Sequence, residues 1–457
     1  MNGNSGQRLY LGGRDETWTG WPLTLVTIFA ILVGVLFRGW YILEYHPPTD
    51  FLYSDMGHYY ETGKLIFGDP DQLGINHVLW PPGQAIYLGL FSLFDETGQW
   101  ATVGNFVLSV LTIFLMAACA RLLFGKTSAA LTAIATSLYF NFVNLAGFFL
   151  SENLFIVLLL LAFLCVVRCF QLTDWKPRAI YLFVAGICLG LAAVTRSLIL
   201  VCALLIGIYI LYRAVRSRDR SIILLTVFLL MGMAIVLGPS ARFCTSLNDD
   251  RFCLVSNYTG LNLYMGSLDD VRMIHFRDKA RDDIYYWMGT PLANIRDWEN
   301  EIDLYIGPWD SAKLTELAWL NISADPVAKA MKAFSSLFDT LGVADLIFFP
   351  GGYVAEDEPW QRLSQQLFLV LIFPAAMIFL FRTQKTEPGA LSAKWLLFLP
   401  VAGLMITVMI FKGEARYRIP FDCFFILMAA RFYALQFFSS STAQTRVEPS
   451  GDASNRS

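Results

Sequence analysis

The chain is short of charge. Only 16% of its 457 residues are Asp, Glu, Lys or Arg, against roughly 25% in an ordinary soluble domain. Neither sign dominates, since 34 basic and 37 acidic residues leave a net charge of -3. A chain that disorders through self-repulsion, or grips a polyanion, needs a large charge excess; the disordered and nucleic-acid-binding classes are therefore excluded. No internal repeat of the kind that marks many transporters is visible. The four histidines, His46, His58, His77 and His275, lie too far apart for the close pair of a helical metal motif. A cleavable signal is missing too: residues 1–19 are polar, and the apolar run from Pro22 to about Tyr45 is not followed by a small-residue cleavage site. That run reads as a retained first span.

What is abundant is apolar sequence. Hydrophobic residues make up 56% of the chain, and the mean hydropathy is +0.52. A membrane helix needs about 20 apolar residues, and such runs recur at roughly 22–43, 100–122, 127–146, 152–170, 179–195, 197–213, 221–239, 365–382, 394–411 and 419–438. No soluble core could hide so many. The fold class expected is an all-α polytopic membrane bundle of about ten helices, with a cytoplasmic tail over 1–21, a membrane domain over 22–438 and a disordered cytoplasmic tail over 439–457.

Placing the N-terminus in the cytoplasm puts Arg121, Lys126, Arg168, Lys176, Arg178, Arg213, Arg216, Arg218, Arg220, Arg382, Lys385 and Lys394 on the inside, as the positive-inside rule asks. An even number of spans returns the C-terminus to the cytoplasm. The same alternation exports two long polar segments, about 44–99 and 239–365, too long for structureless connectors. Chemistry is expected on that exoplasmic face.

Within the first segment, Pro81 and Pro82 precede an apolar run from Gln84 to Phe94 that is too short to span and reads as an interfacial helix. A comparable segment covers Asp325 to Phe338, with Val327, Met331, Phe334 and Phe338 at helical spacing. Either helix rests on lipid or roofs a cavity for a lipid headgroup. Six cysteines, Cys119, Cys165, Cys169, Cys188, Cys202 and Cys423, fall within spans, where cysteine is usually a small apolar filler. Cys244 and Cys253 alone are exported, at a separation that permits a short closed loop. They form a disulfide if that side oxidises and remain free thiols if it does not.

Candidate chemical groups collect where the spans open outward. Asp55, in Tyr53-Ser54-Asp55-Met56-Gly57-His58-Tyr59-Tyr60-Glu61, either caps a helix over 56–67 or, partly desolvated among aromatics, serves as a general base. Glu152, in Ser151-Glu152-Asn153, is either hydrated at the interface or turned into the cavity that Asp55 faces. Arg196, Arg416, Arg418 and Arg38 fall outside against the positive-inside trend, with Lys412 beside them. Each alone could snorkel to lipid phosphates; several at one depth suit bidentate capture of a phospholipid-like headgroup. Asp69-Pro70-Asp71 matches a metal-holding DxD pattern of little specificity. The pairs Asp249-Asp250, Asp269-Asp270 and Asp282-Asp283 read as solvated loop charges. A divalent metal ion held by His58 with Asp55 or Glu61 is a further option.

Taken in order, these motifs resemble those of the GT-C fold membrane glycosyltransferases, in particular the bacterial branch similar to dolichyl-phosphate-mannose protein mannosyltransferases and lipid A aminoarabinose transferases. The resemblance is carried by Asp55 with Tyr59, Trp80-Pro81-Pro82, Ser151-Glu152-Asn153-Leu154, the stretch Gly186 to Arg196, Asn257 to Gly266, and Arg416-Tyr417-Arg418-Ile419-Pro420. It departs from many relatives in that Asp55 has no adjacent Glu.

Such enzymes transfer a sugar from a polyprenyl phosphate to an acceptor on the exoplasmic side, with inversion. The resemblance implies Asp55 as base and Glu152 orienting acceptor or sugar. It implies Arg196, Arg416, Arg418 and Tyr59 at the substrate, with Lys412 and Arg38 as helpers. The partners implied are a polyprenyl-phosphate sugar donor, a glycan, lipid or protein acceptor, and membrane lipids, with no nucleic acid. The setting implied is a bacterial inner membrane with the active site facing the periplasm. The rival class, a transporter or flippase for a lipid-linked glycan, would place ionisable residues near the bilayer midplane. Here they gather at the mouths.

Overall fold

The ten long apolar stretches fall in helices in the computed structural model, which describes residues 21–52, 54–217, 220–268, 272–278, 283–289, 301–342, 359–382 and 388–438. Of the tails expected at 1–21 and 439–457, residues 1–20 and 439–457 lie outside the described residues, as do Arg218, Asp269, Asp270, Asp282 and Lys385, whereas Trp21 opens the first helix.

The chain runs through α1 (Trp21–Trp40), which continues as one wider turn to Tyr45, α2 (Ser54–Gly68), α3 (Gly83–Ser92), α4 (Gln99–Phe124), α5 (Lys126–Leu138) and α6 (Phe140–Ala146). It goes on through α7 (Glu152–Gln171), α8 (Trp175–Thr195), α9 (Ile199–Ser217), α10 (Arg220–Leu247) and α11 (Thr259–Ser267). After a small sheet come α12 (Ser311–Ala324), α13 (Pro326–Leu341), α14 (Pro359–Leu367), α15 (Phe373–Phe381), α16 (Pro388–Ile410), α17 (Ala415–Arg418) and α18 (Asp422–Phe437).

Among the described residues, 8 helices are long and apolar enough to cross a membrane. The pair α5 and α6, bent by 53° at Tyr139, passes the same test only when taken together, as a broken span or a re-entrant loop, and the remaining apolar stretch is the shorter helix over Ile199–Tyr212. The molecule is a multi-pass membrane protein whose ten apolar stretches match ten helical segments, of which α9 is too short, and the α5–α6 pair too bent, to pass as simple spans.

In lipid, helices gain little by hiding apolar surface from one another, so close packing holds the bundle together. One close approach joins α8 to α10. A methyl group on Gly186 would strike the Leu229 carbonyl, and one on Gly232 would strike the Phe183 carbonyl. The glycines of the stretch from Gly186 to Arg196 thus serve packing. α7 forms the centre, with Phe155 against Phe421 at 5.8 Å between ring centroids and Phe163 against Phe424 at 5.1 Å.

The break at Tyr139 explains Arg38. A helix end leaves its last carbonyls without partners, and the fully buried Arg38 guanidinium takes those of Thr136 (2.8 Å) and Ser137 (2.7 Å), with Ser109 Oγ at 3.0 Å. Expected beside the phosphate site, Arg38 is instead a cap for α5.

Both long loops leave the same end of the bundle and interlock. Cys244 and Cys253 form a disulfide with Cα atoms 5.4 Å apart, packed with Ile75 and Val78 of the first loop and Trp309 of the second. The Asn257 amide donates to the Val78 carbonyl at 2.9 Å. The interfacial segments expected over 84–94 and 325–338 are α3 and α13. On α13, Val327, Met331, Phe334 and Phe338 all face outward, while Ser336 and Thr340 on the same helix are buried.

The all-α expectation needs one addition in the second loop, a three-stranded sheet of order β2-β1-β3. Here β1 (Arg272–Asp278) pairs antiparallel with β2 (Asp283–Gly289), His275 opposite Tyr286, and parallel with β3 (Glu301–Leu304), Ile274 opposite Ile302. Ile274 and Phe276 are buried with Leu261 and Met265 of α11 and Leu314 of α12, the two-residue period of a half-buried strand.

Candidate active site

Asp55, Glu152, Arg196 and Arg416 come from four separate elements and meet in one cluster. Asp55 lies in the first turn of α2, directly after Ser54, whose φ of 53° reverses the chain in the left-handed region. The helix begins earlier than expected, so Asp55 sits inside the first turn and not at the cap. Its carboxylate is oriented sideways, accepting from Arg416 Nη2 at 3.4 Å.

Glu152 is the first residue of α7, where the helix dipole favours a negative charge. It is fully buried and accepts from Arg416 Nε and from Arg196 Nη1, the latter at 2.8 Å. Two guanidiniums on one carboxylate supply the partners a buried charge requires. Glu152 has no exposed surface in this arrangement, and its ion-pair partners among the described residues are the two arginines.

Arg196 terminates α8 in an extended conformation, and Nη1 also donates to Ser151 Oγ at 3.0 Å. Its guanidinium lies 5.4 Å from the centre of the Tyr417 ring, while its Nε and Nη2 donate to none of the described residues. Those donors remain for an anion.

The end of α8 is held by the Trp80-Pro81-Pro82-Gly83 turn. A Cβ on Gly83 would stand 2.7 Å from both Thr195 Oγ1 and the Val194 carbonyl, one or two residues before Arg196. Gly83→Ala therefore must displace the arginine. Overpacking of this kind costs about 1–3 kcal/mol, and the expected result is a loss of phosphate affinity larger than the loss of thermal stability. Binding titrations with a polyprenyl phosphate, read beside melting curves, check it.

Lys412 and Glu414, between α16 and α17, form an ion pair next to Arg416. Burial opposes charge on both, yet each partner's field outweighs it: the Lys412 ammonium is held above its ordinary range and the Glu414 carboxyl below its own. Three carboxylates (Asp55, Glu152, Glu414) thus balance three cations (Lys412, Arg196, Arg416). Tyr59 is buried beneath them; burial first, then the Asp55 charge, raises its phenol above the usual range, so it stays neutral.

Arg418 does not join. It is buried, donates from Nε to Asp422 at 2.9 Å, from Nη2 to Gln365 at 2.7 Å and from Nη1 to the Leu341 carbonyl, and lies 3.8 Å from the Phe368 ring centre. Asp422 also accepts from Tyr139 at 2.6 Å, so this network ties the break between α5 and α6 to α17 and α18. The Arg418/Asp422 spacing of four along a helix was the signal for that structural role. His58 turns toward Trp80 and His77, while Glu61 pairs with Lys64 at 3.6 Å. Among the described residues no group of three His, Cys, Asp or Glu is placed to hold a metal ion. Glu414 and Tyr258 were missed from the sequence, although Tyr258 lies inside the quoted Asn257–Gly266 stretch.

Residues 81–239 match the family described as dolichyl-phosphate-mannose-protein mannosyltransferase. No curated protein matches the chain in sequence. Among solved structures, the Archaeoglobus fulgidus oligosaccharyltransferase in complex with Zn and sulfate superimposes with a TM-score of 0.51 at 13% identity, covering 90% of this chain and 49% of that one. ArnT from Cupriavidus metallidurans bound to undecaprenyl phosphate gives 0.36 at 15% identity, with 91% and 77% covered. The chain thus spans about half the length of the oligosaccharyltransferase it matches. By fold the chain is a GT-C membrane protein, and by sequence its residues 81–239 are similar to the dolichyl-phosphate-mannose-protein mannosyltransferase family.

Proposed function

We propose that the chain is an inverting glycosyltransferase that moves a sugar from a polyprenyl phosphate to an acceptor hydroxyl on the exoplasmic side of a bacterial inner membrane, both termini being cytoplasmic. The observation that carries this reading is the meeting of a partly exposed carboxylate, Asp55 (26% exposed), with Arg416 and Arg196 at one mouth of the bundle. The two roles this transfer needs are both represented there.

The acceptor oxygen attacks the anomeric carbon as Asp55 takes its proton. The bond from that carbon to the phosphate oxygen breaks, and its electron pair leaves with the phosphate. Arg196 and Arg416 stabilise the charge that grows on it. A phosphate departs readily, so no strong general acid is required. Glu152 acts before chemistry, by holding the two guanidiniums at one depth. The neutral balance of the cluster supports this division, because a bound lipid phosphate takes over contacts that Asp55 now makes with Arg416. This releases Asp55 as the base. The acceptor belongs to the glycan, lipid or protein class.

The test is direct. Purified protein mixed with a labelled polyprenyl-phosphate sugar and cell-envelope acceptors is expected to release polyprenyl phosphate in step with acceptor labelling. Tight donor binding without release would reduce the protein to a carrier or scaffold.

A further inference from the structure

Next to the charged cluster lies a group of rings that the reaction as described does not use. His58 follows Asp55 by three positions on α2, so the two side chains share one face of the helix. The His58 ring centre is 4.2 Å from that of Trp80 and 5.9 Å from that of His77, the latter stacked at 22°. Trp80 stacks in turn on Tyr258 at 6.1 Å and 24°. The rings arise from both long loops, and each is only half-buried. Tyr258 closes the circle, since its phenol feels the charges of Asp55 and Glu414 and the phenols of Tyr59 and Tyr417.

Residues that serve only to pack two loops together are normally buried, as Ile75, Val78 and Trp309 are around the disulfide. Here His58, one helical turn from the proposed base, and its ring neighbours Trp80 and Tyr258 are only half-buried. Burial, then the neighbouring His77, depresses His58 to about 4, so its ring is uncharged in the neutral range. Trp80, His58 and Tyr258 therefore present electron-rich faces bearing polar edges. This is the surface that a pyranose ring fits: its C–H face meets the negative face of the aromatic quadrupole, and its hydroxyls reach the polar edges.

We propose that Trp80, with His58 and Tyr258, forms the platform on which the donor's sugar ring rests beside Asp55. The proposal rests on the transferase reading above and deepens it: the arginines hold the phosphate, and the rings hold the sugar. A platform of this kind selects for the ring and its C–H face, whereas the phosphate contacts are indifferent to which sugar is attached.

Equilibrium binding to the full chain in nanodiscs separates the two. The probes are undecaprenyl phosphate and the same lipid carrying mannose, glucose or galactose. Wild-type protein is expected to bind at least one sugar-charged lipid more tightly than the bare lipid. Trp80→Leu keeps apolar bulk but loses the ring, and is expected to weaken that charged lipid about tenfold while the bare lipid changes less than about twofold. Trp80→Phe, which keeps a ring face, is expected to stay within about threefold of wild type for both. The platform is overturned if Leu and Phe behave alike, if bare and charged lipid weaken in parallel, or if wild type gains nothing from any sugar. Failure of wild type to bind even the bare lipid would sink the phosphate reading and this proposal with it.

Discussion

Asp55→Asn is expected to lower turnover about 100- to 10,000-fold, the contribution of one well-placed general base. The amide fills the same space but cannot take a proton. The change is gentle on the fold, because Asp55 is partly exposed and its single ion pair, to Arg416 at 3.4 Å, is of the kind that contributes about 0–1 kcal/mol. Melting temperature and expression should stay near wild type. Affinity for bare polyprenyl phosphate should hold or rise slightly, since Arg416 loses a competing carboxylate. Loss of turnover with intact phosphate binding assigns Asp55 to chemistry. Near-normal transfer by this variant would remove Asp55 as the base.

Glu152→Gln is expected to damage both stability and turnover. Glu152 is fully buried, and two guanidiniums converge on it. Removing one partner of a buried ion pair costs about 3–5 kcal/mol, because the charge left behind has neither water nor a counter-ion. Here the penalty falls mainly on Arg196, because Arg416 keeps Asp55 as a counter-ion, and a visible drop in melting temperature follows. The proposed function adds a second expectation. A bound lipid phosphate supplies the missing negative charge, so saturating undecaprenyl phosphate should raise the melting temperature of Glu152→Gln more than that of wild type; at about 100 times Kd, binding alone is worth about 2.7 kcal/mol. Equal ligand-induced shifts in the two proteins would count against Arg196 and Arg416 as the phosphate site.

Arginine destinations show where reading the sequence stops. Arg38, Arg196, Arg416 and Arg418 are alike in type, and all fall near the mouths of apolar runs. Two reach the cluster and two do not. A guanidinium in a dry environment goes to the nearest unsatisfied acceptors, and those are decided by backbone events far off in the chain. Arg38 is captured by carbonyls freed at the Tyr139 break, about a hundred residues away, and Arg418 by Asp422 and the carbonyl at the end of α13. Of these only the Arg418/Asp422 pair leaves a local trace. The sheet in the second loop was missed for a related reason: its strands are 7, 7 and 4 residues long, too short for their alternation to stand out from loop sequence.

Gly83 and the glycines of α8 make the same point from the other side. A glycine in a sequence announces only that something needs room. What needs it, the end of α8 at Gly83 and the backbone of α10 at Gly186, depends on which helices become neighbours.

Hydropathy was enough by itself to determine a multi-pass helical membrane protein, and the ordered set of Asp55, Trp80-Pro81-Pro82, Ser151-Glu152 and Arg416-Tyr417-Arg418 pointed to groups of which Asp55, Glu152 and Arg416 meet in one cluster. The reason is that lipid tolerates only segments whose backbone is satisfied internally, so composition alone dictates what crosses. Which charges meet, that Glu152 is sealed beneath the arginines, and that Trp80 and Tyr258 join across two loops were decided by the tertiary structure alone. Those pairings depend on distances between segments up to several hundred residues apart, and no local pattern of residues encodes such distances.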